Sequence, residues 1–125
     1  MKEFIMFFKH EQPDPESSPE QMQEVLKQWQ TWIKGIAQKG NYSSTNRLLS
    51  TGKTLKPNNV ITDGPHMESK EMIGGYLIVN ANSLDEAVEM AKTCPNLKGG
   101  NGVVEVRAVM SIDANPDSDN FLYEK

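Results

Sequence analysis

The feature of the sequence that most constrains the fold is the unbroken apolar run at residues 4–8, Phe-Ile-Met-Phe-Phe. A short apolar run rich in aromatic residues indicates a strand that is buried on both faces. Because side chains alternate along a strand, Phe4, Met6 and Phe8 point to one side and Ile5 and Phe7 to the other. Any fold for this chain therefore has to cover both faces of its first strand.

An amphipathic helix follows this strand, and both of its ends are marked. Ser18 is the expected N-cap, Pro19 takes the first helical position, and Gln21 completes a capping box. Gly40 supplies the left-handed C-terminal cap. Between these signals, apolar residues recur at spacings of three and four and predict one buried stripe: Met22, Val25, Leu26, Trp29, Ile33, Ile36 and Ala37.

The remaining elements complete a recognisable order. Residues 42–49 could form a strand, residues 54–56 and 60–62 short strands between turns, and residues 76–79 a buried strand. Ser83 and Glu86 form a second capping box that starts a helix, and residues 103–109 form the last strand. This order predicts an α+β fold on the ferredoxin-like split βαβ plan. We assign residues 1–112 to this domain and residues 113–125 to a polar C-terminal tail.

The packing of such a sheet predicts a partner. Two helices can cover only one face of a four-stranded sheet. The first strand is apolar on both faces, and burying one large apolar side chain is worth roughly 1.5–3 kcal/mol. We therefore expect the second face to pack on another copy of the chain, giving a homodimer with Ile5 or Phe7 in the contact.

Composition excludes several classes of function. The chain has 125 residues, with 13 Lys and Arg against 17 Asp and Glu, so its net charge is −4. This balance argues against nucleic acid and anionic membranes as partners. One cysteine and two histidines predict no metal site, no other cofactor and no internal disulfide. Cys94 is expected to be an inert thiol at a helix end, and the default compartment is the cytoplasm.

A string of motifs runs from the middle of the chain to its last strand. In order, it reads Asp63-Gly64-Pro65, Glu68-Ser69-Lys70-Glu71, Gly74-Gly75-Tyr76, Ser83-Leu84-Asp85-Glu86-Ala87 and Val104-Glu105-Val106-Arg107. In these motifs the chain resembles the YCII-related family, in the subgroup named for an Asp-Gly-Pro-Phe motif. His66 stands where that subgroup motif has Phe.

The resemblance implies a dimeric α/β barrel built from ferredoxin-like subunits, in agreement with the packing argument. Relatives in the wider family have been proposed to use a His–Asp pair in a cleft, and one branch acts as a dehydrochlorinase. The histidine of those relatives lies near the first helix, where this chain has Trp29 and Trp32, so that half of the pair is missing and the activity does not carry over. By the same resemblance, Asp63 is a candidate site residue.

The residues of the Asp63 turn allow two interpretations. Asp63 could act as a general base or orient the imidazole of His66, and Gly64 would let a ligand approach the backbone closely. Alternatively, Asp63 bonds the amides of its own turn, and His66 is a surface histidine.

Several other residues are candidates for ligand binding. His10, at the end of the first strand, either is solvated or reaches a cleft. Glu105 and Arg107 share one strand face, which either lines a cavity of the dimer barrel, with Tyr76 nearby, or carries ordinary cross-strand charges. Trp29 is expected in the core and Trp32 at its edge, where Trp32 could instead line a pocket.

Two function hypotheses follow from these candidates. The first is a dimeric barrel that binds a small molecule and carries out a lyase or proton-transfer reaction. The second is a non-catalytic sensor or interaction module linked to transcription regulation, since some relatives occur beside sigma-type transcription factors. An enzyme is expected to show a concave pocket where Asp63 and a histidine converge within about 3 Å. A binding module is expected to show an apolar pocket whose polar groups are satisfied and do not converge.

Overall fold

The computed structural model of the chain describes residues 1–10, 18–65, 72–98 and 102–110. Within these ranges it contains the following elements: β1 (Lys2–His10), α1 (Pro19–Gln38), β2 (Tyr42–Arg47), β3 (Lys53–Lys56), β4 (Val60–Asp63), β5 (Met72–Ala81), α2 (Leu84–Ala91), a 3-10 turn (Pro95–Leu97) and β6 (Gly102–Ala108). None of the helices in these ranges combines the length and the hydropathy needed to cross a bilayer. The predicted polar tail, residues 113–125, lies outside the described residues.

Four strands form one antiparallel sheet in the order β2-β5-β1-β6. The strand β5 lies between β1 and β2, which α1 connects, and β1 lies between β5 and β6, which α2 connects. These are two interlocked split βαβ units. The predicted α+β class is confirmed, and the strand order is that of a ferredoxin-like fold.

The predicted hairpin region forms a separate two-stranded sheet, in which β3 pairs with β4. Its turn places Asn58 and Asn59 in the left-handed region, with φ of 68° and 62°. Asparagine tolerates this conformation better than most residues, which explains a turn at this position. The strand predicted for residues 42–49 is shorter than expected and ends at Arg47.

The capping box predicted for α1 is confirmed, and the one predicted for α2 forms only in part. The Ser18 hydroxyl accepts from the backbone N–H of Gln21 at 3.1 Å, and the Gln21 side chain accepts from the N–H of Ser18 at 3.0 Å. In the second helix, the Ser83 hydroxyl accepts from the N–H of Glu86, whose carboxylate accepts from Asn82 rather than from Ser83. Local hydrogen bonds therefore fix where both helices begin.

The core lies between the helices and one face of the sheet. Phe4, Met6 and Phe8 of β1 are buried there together with residues of β5 and both helices. The apolar stripe of α1 covers the sheet only in its second half, because Met22, Val25 and Leu26 are all exposed. The helix therefore extends beyond the core at its N-terminal end.

The expected order of burial of the two tryptophans was wrong, whereas the alternative that Trp32 lines a pocket is confirmed by a groove between the helices. Trp32 is the buried one, at 9% exposure, and Trp29 packs against the core only in part. The Trp32 indole lies between α1 and α2, where its Nε1–H donates to the backbone oxygen of Met90 at 3.1 Å. Both rings contact Phe8 edge-on, with centroids 4.8 Å (Trp29) and 5.8 Å (Trp32) away. The docking of α2 decides which indole is covered, and the spacing of apolar residues in α1 cannot predict where α2 docks.

The second face of the sheet carries apolar residues at its centre and polar residues around them. Phe7 lies opposite Tyr76 on β5 and Glu105 on β6, and Ile5 lies opposite Ile78 and Arg107. Ile5, Phe7, Tyr76 and Ile78 are half-buried. In the part of the chain that the structure describes, neither helix lies on this face, which we call the open face.

Candidate functional site

The most constrained local geometry in the sheet lies where β1 ends beside the start of β5. The pairing register shifts there: Phe8 is opposite Gly75, and Lys9 is opposite Ile73, so that Gly74 is an extra residue of β5. A Cβ atom on Gly74 would lie 2.6 Å from Nε2 of His10. The imidazole therefore occupies the space that any other residue at position 74 would need for its side chain.

The neighbouring glycine is constrained by backbone. A Cβ atom on Gly75 would lie 2.9 Å from the backbone oxygen of Asn46 on β2. The two glycines of the Gly74-Gly75-Tyr76 motif thus have different roles. Gly75 allows two strands to approach, whereas Gly74 makes room for a titratable side chain.

His10 lines a small cleft at this end of the sheet. The cleft has a volume of about 250 Å³ and is lined by residues of three strand ends: His10, Arg47, Leu48, Leu49, Ser50, Met72, Ile73 and Gly74. Arg47 lies opposite Gly75, which in turn is opposite Phe8, so Arg47 is on the same face of the sheet as Phe8. His10 follows Phe8 by two residues on β1 and therefore shares this face with Arg47. We call this the His10 cleft.

The His10 cleft combines apolar walls with a cation. Leu48, Met72 and Ile73 supply the walls, and the backbone N–H of Leu48 is already bonded to the oxygen of Gly74 at 2.9 Å. Arg47 is exposed, and among the described residues no carboxylate lies within 4.0 Å of its guanidinium. An imidazole, an uncompensated guanidinium and apolar surface therefore converge on one small volume.

The polar residues predicted on the last strand lie on the open face instead. Glu105 accepts from Nζ of Lys9 at 3.0 Å, and Tyr76 accepts through its hydroxyl from Nδ2 of Asn46 at 2.7 Å. Phe7 lies between Tyr76 and Glu105 in the register. Arg107 is exposed on the same face. The structure thus brings Tyr76, Glu105 and Arg107 to one face, but His10 lies on the other.

The predicted Asp63 site lies at the end of the β3–β4 hairpin. Oδ1 of Asp63 accepts from Nζ of Lys53 at 2.7 Å, and the Asp63 side chain is 89% exposed. Gly64 has a φ of +86°, its N–H donates to the oxygen of Gly52, and its own oxygen accepts from the Thr54 hydroxyl. His66 lies outside the described residues, so the Asp63–His66 pair stays a prediction.

A larger groove of about 480 Å³ lies between α1 and α2, along Trp32, Gly35 and Met90. Its charged residues do not converge: Glu86 caps α2, and Glu89 pairs with Lys92 at 2.6 Å. Across the described ranges, no three His, Cys, Asp or Glu side chains gather as metal ligands would. The groove therefore offers less defined chemistry than the His10 cleft.

Cys94 is buried, at 1% exposure, beside this helical layer. Burial disfavours the thiolate and raises the pKa of the Cys94 thiol to about 11. A thiol that stays protonated near neutral pH is a poor nucleophile. The structure thus agrees with the expected inert thiol.

The sequence interpretation missed Arg47 and the role of Gly74. Arg47 ends a polar run, Ser43-Ser44-Thr45-Asn46, that carries little signal by itself. The Gly-Gly pair before Tyr76 belongs to one of the motifs described above, and two adjacent glycines at a strand start can indicate a bulge or a close approach. Their partner His10 is distant in sequence and only the strand pairing identifies it.

Comparison with known proteins places the chain in a family. The chain is 28% identical over 95 residues to the uncharacterized protein R00369 of Rhizobium meliloti, covering 72% of this chain and 77% of that protein. Its fold is similar to that of 5-chloro-2-hydroxyhydroquinone dehydrochlorinase from Burkholderia phenoliruptrix, solved in complex with 2,5-dihydroxybenzoquinone. The TM-score is 0.50 at 19% identity, over 84% of this chain and 90% of the enzyme. Residues 4–113 match the YCII-related domain, and the chain therefore belongs to the YCII-related family.

Proposed function

We propose that this protein binds a small organic molecule in the His10 cleft and acts on it by proton transfer, as a lyase does. One observation carries the proposal: His10 and Arg47 line the same apolar-walled cleft. Small-molecule sites combine mostly apolar walls with a few polar groups that fix orientation. The cleft contains both components, with polar surface about as extensive as apolar surface, and its volume is below the usual range of about 300–1,000 Å³.

The two side chains suit complementary steps of such a reaction. A neutral imidazole can take a proton from carbon, and the resulting imidazolium can return it to a leaving group or to solvent. A guanidinium cannot serve as the base, but it stabilises the negative charge that develops on the substrate when the proton leaves. We therefore assign proton transfer to His10 and charge stabilisation to Arg47.

The similar fold of the dehydrochlorinase supports a lyase among the candidate activities, and its ligand supplies a probe. We would titrate 2,5-dihydroxybenzoquinone into the protein and into His10→Asn, Arg47→Gln and Lys53→Gln. Lys53→Gln is the matched control, because it removes one positive charge from a residue that does not line the cleft. Weaker binding to the His10 and Arg47 variants alone is expected.

The outcome of this titration separates the two function hypotheses. The enzyme is supported by two results together: the His10 and Arg47 variants bind more weakly, and His10→Asn abolishes proton exchange or elimination. If the protein binds a panel of ring compounds and none of them is chemically changed, the result favours the sensor or interaction module. If all three variants bind the quinone like the unmodified protein, the His10 cleft is not the site.

We further propose that two copies of the chain associate through the open face as a dimeric α/β barrel. Ile5, Phe7 and Ile78 form an apolar centre there, on the side of the sheet away from both helices. A contiguous apolar patch rimmed by polar residues is typical of an interface between proteins. In this arrangement Tyr76, Glu105 and Arg107 would line the space between the subunits.

A further inference from the structure

We infer that the His10 cleft takes a small organic anion, held jointly by Arg47 and His10, and that Gly74 is the positioning residue that keeps the imidazole in place. The inference rests on the proposed function. It adds that the ligand is negatively charged and that Gly74 positions the His10 imidazole that holds this ligand. Three observations support it in turn: the charge of the cleft, its size, and the geometry around Gly74.

The charge of the cleft favours an anion. The guanidinium of Arg47 has no carboxylate partner among the described side chains, and none of the described residues that line the cleft is acidic. Lys9, the residue before His10, is paired with Glu105 at 3.0 Å on the opposite face of the sheet. A carboxylate or phenolate would therefore meet an uncompensated positive charge in the cleft, with bidentate geometry available for a carboxylate.

The size and the walls of the cleft limit the rest of the ligand. About 250 Å³ accommodates a single ring and its substituents but not a nucleotide or a peptide. Leu48, Met72 and Ile73 present apolar surface to the body of the ligand. A small aromatic or aliphatic acid meets both requirements.

Gly74 connects this chemistry to the fold. Since a Cβ atom there would lie 2.6 Å from Nε2 of His10 and 3.0 Å from Cδ2, an alanine would force the ring to move. The atoms that it would meet belong to the end of a side chain and not to the backbone, so an alanine displaces the ring rather than the strand. At Gly75 the same change meets the backbone oxygen of Asn46 at 2.9 Å, and the strands themselves would have to separate. Gly74→Ala is therefore expected to disturb the cleft without disturbing the sheet.

The test compares benzoate with benzamide, two probes of nearly equal shape that differ in charge. Affinities are measured by NMR titration, and the imidazole signals of His10 are assigned with His10→Asn. We expect benzoate to bind at least tenfold more tightly than benzamide, and Arg47→Gln to remove this preference. We expect Gly74→Ala to shift the His10 imidazole signals and to weaken benzoate binding several-fold, with a melting temperature close to that of the unmodified protein.

A double variant separates positioning from structure. If Gly74 acts through the imidazole, then Gly74→Ala adds no further loss of benzoate affinity in a His10→Asn background. Unchanged imidazole signals and unchanged benzoate affinity in Gly74→Ala would overturn the role of Gly74. Equal affinities for benzoate and benzamide would overturn the anion and leave small-molecule binding intact. Failure of the unmodified protein to bind these probes and 2,5-dihydroxybenzoquinone would overturn the proposed function itself.

Discussion

Replacing Trp32 by Phe should destabilise the protein clearly more than replacing Trp29 by Phe. The two variants form a matched pair, because both indoles belong to α1 and both contact Phe8 edge-on. Only Trp32 is fully part of the core, and only its indole N–H has a hydrogen-bond partner in the described structure, the oxygen of Met90 at 3.1 Å. The sequence pattern alone would reverse this order, since it places Trp29 on the apolar stripe.

The magnitude follows from two losses at Trp32. Removal of the indole N–H breaks one hydrogen bond, which is worth about 1 kcal/mol net. Phe is smaller than Trp by about 40 Å³, and at about 24 cal/mol per Å³ the resulting cavity costs about 1 kcal/mol. We therefore expect Trp32→Phe to lower the free energy of unfolding by about 2 kcal/mol. For Trp29→Phe we expect about 0.5 kcal/mol, because the site is partly open and no bond is lost.

Urea unfolding followed by far-ultraviolet circular dichroism measures both values without relying on tryptophan fluorescence. The two variants should show the same dependence of stability on urea as the unmodified protein and should differ in the midpoint. A loss of 0.5 kcal/mol or less for Trp32→Phe, or a larger loss for Trp29→Phe, would refute the assignment of Trp32 as the buried bridge between the helices.

Three further predictions concern the dimer, the thiol and the hairpin. Sedimentation should give about twice 14.0 kDa at micromolar concentration, and Phe7→Asp on the open face should give the monomer mass; a folded monomer without the substitution would exclude the barrel. The folded-state pKa of Cys94 is raised from 9.0 to about 11, so the unfolded state loses the thiol proton first as the pH rises. The stability that the protonated thiol contributes is therefore complete below pH 9 and falls by about 2 kcal/mol by pH 11. Parallel urea titrations of Cys94→Ala should not show this loss. Asp63→Asn should change the free energy of unfolding by less than about 0.5 kcal/mol, since the ion pair of Asp63 with Lys53 is exposed. A change in the His66 imidazole signals in Asp63→Asn but not in Lys53→Gln would support the predicted Asp63–His66 pair. Imidazole signals identical to those of the unmodified protein would contradict the pair.

The His10 cleft shows how strand ends that are remote in sequence can form one cleft. Three of its walls come from the ends of β1 and β2 and the start of β5, which are remote in sequence and adjacent in the sheet. Regular backbone pairing fixes where these ends stand, and the residues beyond the pairing supply the chemistry. A rigid position for His10 thus depends on strand pairing rather than on local sequence.

The sequence by itself determined the elements whose causes are local. The N-terminus of α1 follows from the hydrogen bonds between Ser18 and Gln21, which lie three residues apart. Alternation along β1 separated Phe4, Met6 and Phe8 from Ile5 and Phe7, and the structure buries the first set beneath the helices. Together with the order of elements, these signals were sufficient for the α+β class and the ferredoxin-like plan.

Only the tertiary structure decided the features that depend on how distant segments meet. The docking of α2 buries Trp32 instead of Trp29, because the oxygen of Met90 and the second helix lie over that indole. The extra residue Gly74 in the pairing of β1 with β5 brings His10 against a bare backbone, and the pairing of β2 with β5 sets Arg47 beside it. Helix docking and strand register are set by the packing of the whole core, and no local window of the sequence contains that information.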